Sequence, residues 1–243
     1  MAQHISRREL KKDEVRETLA QGADAILSHR LSSLIILVVA LVVAVGYLGW
    51  KSYTQRETVK ASAAFDSGSR IFEARTRVAG EAAVPGQVSY ADDAMKYSEA
   101  AQKFSDAAAK YPRTRPGQMA AYYAALSYEK IGKNAEAKKS LEGLVNGNDP
   151  GLTGLAKYAL AQVDEKLGQG DEAAKLYQQL IDKPSDFVPK SVAMLALAQY
   201  YSHSKPAEAA RLYAQIKMEF PDTPIAEQAD QQLALLPSGS GKS

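Results

Sequence analysis

Glu99-Ala100, Glu136-Ala137, Glu172-Ala173 and Glu208-Ala209 mark one unit that recurs along the chain, its alanines 37, 36 and 36 residues apart. Four residues after each alanine comes a large side chain (Phe104, Leu141, Tyr177, Tyr213), and three further on stands Ala107, Leu144, Leu180 or Ile216. Steps of four and three keep these residues on one helical face. The alanine is small where a neighbouring helix approaches, and the larger residues fill the space beside it. Repetition at a fixed period makes the fold a stack of similar units.

A second helical run precedes each of the last three units, at Gln118–Ile131, Gly154–Leu167 and Lys190–His203. Gly132 and Gly168 follow the first two of these runs, where a left-handed residue closes a helix. The third turn departs, reading His203-Ser204-Lys205-Pro206, with proline opening the next helix at a position whose amide is an orphan anyway. Tyr111-Pro112 and Phe220-Pro221 stop the second helices of the first and fourth units. No alternating segment of strand length competes. The fold class is all-α, a series of helix–turn–helix pairs.

These units resemble tetratricopeptide repeats. The small–large pattern is carried by Ala125, Tyr128, Ala137, Leu141 and Leu144 in the second unit, and by Ala161, Ala173, Tyr177 and Leu180 in the third. No unit has the family's leading Trp, Asp164 stands in the place of Tyr128, and the period exceeds the family's usual length. The first unit departs most, because counting back in register reaches Val84-Pro85-Gly86. Its first helix is expected at Val59–Val78, with an inserted loop near Gly80–Tyr90. Thr223–Leu236 is expected as a final helix covering the open apolar face of an α-solenoid.

Ahead of the repeats, residues 31–50 run twenty positions without a charge. At 1.5 Å per residue such a helix spans about 30 Å, the hydrocarbon thickness of a bilayer. Arg30 and Lys51 bracket it, and Tyr47, Trp50 and Tyr53 suit one interface. A cleavable signal would need an unusually long basic region, so the segment reads as an uncleaved single-pass anchor. Orientation is not fixed by the flanking charges. Residues 1–30 carry six Lys/Arg against four in the twenty residues after the segment, whereas the nearest fifteen on each side carry two against three. In residues 1–30, Ser6-Arg7-Arg8-Glu9 fits a capping box, and Leu10, Val15, Leu19, Ala23 and Ile26 recur at helical spacing. That stretch reads as a cytoplasmic amphipathic tail, either on the membrane surface or docking a partner. The expected division is tail 1–30, transmembrane helix 31–50, repeat domain 51–236 and flexible polar end 237–243.

Tail, single anchor and compact repeat domain together resemble the ancillary subunit of the bacterial Sec translocon. That resemblance implies an inner-membrane protein with a cytoplasmic N-terminus and a periplasmic repeat domain. The partners it implies are translocon subunits, periplasmic chaperones or exported clients. A structural scaffold, or an assembly factor for another envelope or cytochrome-biogenesis complex, is the alternative.

Within the repeat register the first helix of each unit lines the concave surface. The binding candidates are Tyr122, Leu126 and Glu129, then Tyr158, Gln162 and Glu165, then Met194, Ala198 and Tyr201. Aromatic and Met side chains give adaptable apolar contact to peptides. The Lys/Asn clamp with which some repeat proteins hold a C-terminal carboxylate is replaced by Tyr122/Leu126 and Tyr158/Gln162.

Composition removes other classes of function. The chain has 243 residues, no cysteine and three scattered histidines, so thiol chemistry and His-based metal sites are not expected. From Lys51 onward 24 basic residues face 23 acidic ones, which does not suit a nucleic-acid binder. The polar end Pro237–Ser243 imitates a phosphate-binding loop but has Leu236 in place of its first glycine. The pairs Asp92-Asp93, Asp164-Glu165 and Asp171-Glu172 read as solvated faces. No enzyme, cofactor or metal is expected.

Overall fold

The computed structural model describes residues 7–78, 80–82, 86 and 88–236, with side chains at 32 and from 34 onward. Ser6, the side chains of the tail from Leu10 to Ile26, the Val84-Pro85 turn and the polar end 237–243 therefore lie outside the described residues. The chain divides into two units, Met1–Arg56 and Glu57–Ser243.

The described residues of the first unit form a single helical stretch, the beginning of α1 (Arg7–Phe72). Among the described residues this is the one helix long and apolar enough to cross a membrane, and its apolar window is fully exposed. Leu37 and Trp50 are 67% and 66% exposed, which water does not favour for side chains of this kind. Tyr47 and Trp50 lie one turn apart with ring centroids separated by 6.5 Å.

Among its described residues the second unit contains the end of α1 and eight further helices: α2 (Asp93–Lys110), α3 (Arg115–Lys130), α4 (Asn134–Glu142), α5 (Pro150–Lys166), α6 (Gly170–Asp182), α7 (Lys190–Ser204), α8 (Pro206–Glu219) and α9 (Pro224–Leu235). Consecutive helices pack on one another and build four successive apolar cores, as expected of helix pairs in a solenoid. Ala100, Ala137, Ala173 and Ala209 are each completely buried, and so are Phe104 and Tyr213 at the position four residues on. Leu141 and Tyr177 at that same position are 1% exposed. The helix starts are chemical as well as periodic. Asp92, Thr114, Asp149 and Thr223 accept backbone amides of the first turns of α2, α3, α5 and α9.

Gly132 and Gly168 both take φ of +74°, the left-handed conformation that costs glycine nothing. Lys133 N–H then reaches back to the Tyr128 carbonyl at 2.9 Å, and Gln169 N–H to that of Asp164 at 2.7 Å. In the third turn Lys205 N–H bonds to the Tyr201 carbonyl at 2.7 Å, and Pro206 starts α8.

The first unit of the stack differs from the expectation. Its first helix ends at Phe72 and not at Val78, because the chain turns into a two-residue parallel pairing of β1 (Arg75–Thr76) with β2 (Ser89–Tyr90). Arg77 N–H extends the pairing to the Tyr90 carbonyl at 2.9 Å. Of the acidic pairs, Asp92-Asp93 and Asp171-Glu172 are exposed as expected, and only Asp164-Glu165 needs correction. Asp92 caps α2 and Asp93 accepts the Thr76 hydroxyl at 2.5 Å. Asp164 is only 2% exposed and holds Lys138 of α4 at 2.8 Å, while Glu165 accepts the Tyr177 hydroxyl at 2.6 Å. Asp171 and Glu172 do lie exposed, in the first turn of α6.

Three ion pairs join the α3–α4 pair to the helices that follow: Arg115 with Asp149 at 3.2 Å, Lys138 with Asp164 at 2.8 Å, and Glu129 with Lys166 at 2.5 Å. Among the described residues no ion pair joins α5–α6 to α7–α8.

Tyr177 and Tyr213 occupy equivalent places, yet only Tyr177 has its hydroxyl satisfied. The counterpart of Glu165 in the fourth unit is Tyr201, and the buried Tyr213 hydroxyl has no hydrogen-bond partner among the described residues. An unmet buried hydroxyl costs about 1–3 kcal/mol. Tyr213→Phe is therefore expected to leave stability unchanged or raise it by about 1 kcal/mol, whereas Tyr177→Phe lowers it by about 1 kcal/mol. Urea unfolding of both variants checks the pair, and equal losses in the two would show the reasoning to be mistaken.

Candidate protein-binding site

A recess of about 520 Å³ opens between α3, α5, α6 and α7. Tyr158, Gln162 and Glu165 enter it from α5 at spacings of four and three, so they share one face. Glu129 of α3 and Lys166 of α5 close one side as an ion pair. Tyr177 forms part of the floor from α6, and its ring meets that of Tyr158 edge-on at 5.9 Å between centroids. The far wall is a row on α7: Ala196, Gln199, Tyr200, His203 and Ser204.

Burial, together with the hydrogen bond to Glu165, pushes the Tyr177 phenol well above its ordinary range. Burial and the nearby Glu165 charge raise Tyr158 as well, and Tyr122 is raised by burial, Tyr123 and Glu129. These phenols are therefore neutral donors at physiological pH, and Glu165 is the acceptor that Tyr177 serves.

Of the nine residues expected on the concave face, four line this recess: Glu129, Tyr158, Gln162 and Glu165. Tyr122 and Leu126 lie half-buried on α3 outside it, Tyr122 being packed on the core beneath α3 and α5. Met194 and Ala198 are completely buried, and this corrects their expected place at a ligand surface. They share a core with Ala229, Ile225 and Leu233 of α9, so the final helix covers the face of α7 that the register left open. Tyr201 is half-buried beside that same core.

The α7 row was not foreseen. Tyr200 is the counterpart of Tyr128 and Asp164, on the face that looks back toward the preceding unit. Its seat is made by Gly170, where even a Cβ would come within 1.9 Å of the Tyr200 hydroxyl oxygen. Its trace in the sequence is Gly170 together with the steps 196, 199, 200, 203 along α7.

A family model described as a tetratricopeptide repeat-like domain matches residues 29–188. The chain belongs to that tetratricopeptide repeat-like family. The matched span takes in the uncharged segment and the helices through α6, and so includes the α3, α5 and α6 walls of the recess. A solved structure from Podospora anserina, described as a kinesin light chain with nearly identical tetratricopeptide-like repeats, is similar over 58% of this chain and 77% of its own, at 18% identity and a TM-score of 0.49. No curated protein matches the sequence. Tetratricopeptide repeat-like domains are typically non-catalytic modules that bind other proteins, and a half-buried recess of aromatic rings and polar groups suits such a role.

Proposed function

We propose that this protein is a membrane-anchored, non-catalytic binding module whose repeats receive segments of other proteins along the α3–α5–α7 face. The observation that carries the reading is the recess built by Tyr158, Gln162 and Glu165 within a tetratricopeptide repeat-like stack. The exposed apolar stretch of α1 supports residues 31–50 as the bilayer anchor, and the family match runs through that stretch as well as the repeats to residue 188. The finer placement rests on the resemblance to the ancillary subunit of the Sec translocon. It puts the N-terminus in the cytoplasm, the repeats in the periplasm, and translocon subunits, chaperones or newly exported proteins as partners.

A photo-crosslinking amino acid at Tyr158 tests the site in native membranes, with exposed Lys175 on α6 as control. Translocon subunits or exported precursors are expected at Tyr158 and not at Lys175. Equal yields at the two positions would refute the groove, and a single adduct of fixed stoichiometry would favour a scaffold over an exchanging binder. Protease access to a C-terminal tag tests the side of the membrane. Digestion in spheroplasts is expected, and digestion only in inverted vesicles would overturn the periplasmic placement.

A further inference from the structure

The repeat register contains its own comparison for the recess. Glu129 and Glu165 are equivalent residues one unit apart, each near the end of a first helix. Glu129 is neutralised by Lys166 of the following first helix at 2.5 Å. The residue standing in the same relation to Glu165 is Ser202, whose hydroxyl turns back to the Gln199 carbonyl at 2.7 Å. Glu165 therefore has a hydrogen bond from neutral Tyr177 and no cationic partner among the described residues. It faces a recess of about 520 Å³, large enough for a long side chain.

We propose that this recess binds the basic side chain, arginine or lysine, of a protein segment lying in the groove. The proposal rests on the protein-binding reading above and names the chemistry of what is bound. The incoming cation takes the place that Lys166 fills beside Glu129. Its charge meets Glu165 in a recess lined by the rings of Tyr158 and Tyr200, and an aromatic face attracts a cation. Gln162 and Gln199 supply amide oxygens for the remaining N–H groups of a guanidinium. An acidic side chain or a C-terminal carboxylate would meet Glu165 at close range and be repelled. An apolar anchor would strip water from Glu165 and Gln162 and return nothing. A basic side chain satisfies both.

The test uses the full chain in detergent micelles and two pools of short labelled peptides. The pools are identical except that one position carries arginine in the first and its neutral isostere citrulline in the second. Fluorescence anisotropy is expected to show the arginine pool binding about tenfold more tightly. Glu165→Gln keeps an acceptor for Tyr177 and removes the charge. Ser202→Lys supplies the internal cation found one unit earlier and leaves the core untouched. Each variant is expected to lose the preference and bind the two pools equally. No arginine preference in the unaltered protein, or a preference that persists in either variant, overturns the proposal and leaves the groove reading intact. Failure of both pools to bind overturns the groove reading and this proposal with it.

Discussion

Phe104→Ala is expected to lower the stability of the repeat unit by about 4 kcal/mol. Phe104 is completely buried on α2 and lies within ring-stacking distance of Phe65 and Phe72 on α1 and Tyr123 on α3, at 5.5, 6.3 and 5.4 Å between centroids. Tyr123 in turn lies edge-on to both Phe65 and Phe72. Removing the shared ring leaves a hole that helices fixed by their other contacts fill only in part. Circular dichroism during urea unfolding gives the number. A loss below about 2 kcal/mol would mean that α1 closes onto α2 far more readily than this packing implies. Phe104→Leu keeps most of the volume and is expected to cost less than half as much.

Lys138→Met should cost about 3 kcal/mol for a different reason. The substitution retains the hydrocarbon stem and removes the charge that holds Asp164, whose side chain is 3% exposed. The same ammonium also bonds the Gln169 side chain at 2.5 Å, so two acceptors lose their donor together. A carboxylate left alone at this depth is expensive, while replacing both ends by apolar groups of similar size is close to neutral. The double variant Lys138→Met with Asp164→Leu is accordingly expected to regain most of the loss. A double variant no better than the single would show that the cost lies in packing and not in the orphaned charge.

The recurrence of the alanines carried a large part of this structure in legible form. It placed α3, α5 and α7 within a few residues of their ends, named the two glycine turns at Gly132 and Gly168, and identified Thr223 as the start of the last helix. It failed where a partner outside the unit decides the outcome. Met194 and Ala198 have the spacing of surface residues, and α8 and α9 together bury them. Asp164 looked like half of a solvated acidic pair because the lysine that claims it lies 26 residues earlier, on α4. The helix end at Phe72 depended on a two-residue strand pairing, too short to leave any periodic trace. The recess shows the same division. The α5 face was readable from spacing, whereas the α7 wall required knowing that Tyr200 would settle against Gly170.

The three ion pairs after the α3–α4 pair, and the absence of any among the described residues between α5–α6 and α7–α8, give the stack two kinds of seam. Added salt loosens the exposed part of the first seam and scarcely touches the second, which is held by the apolar core of Tyr177, Leu180, Val188 and Leu197. Cooling acts the other way, since apolar cohesion weakens as temperature falls. Because neighbour coupling sets how a repeat array opens, ionic strength and temperature select different joints at which this array parts first.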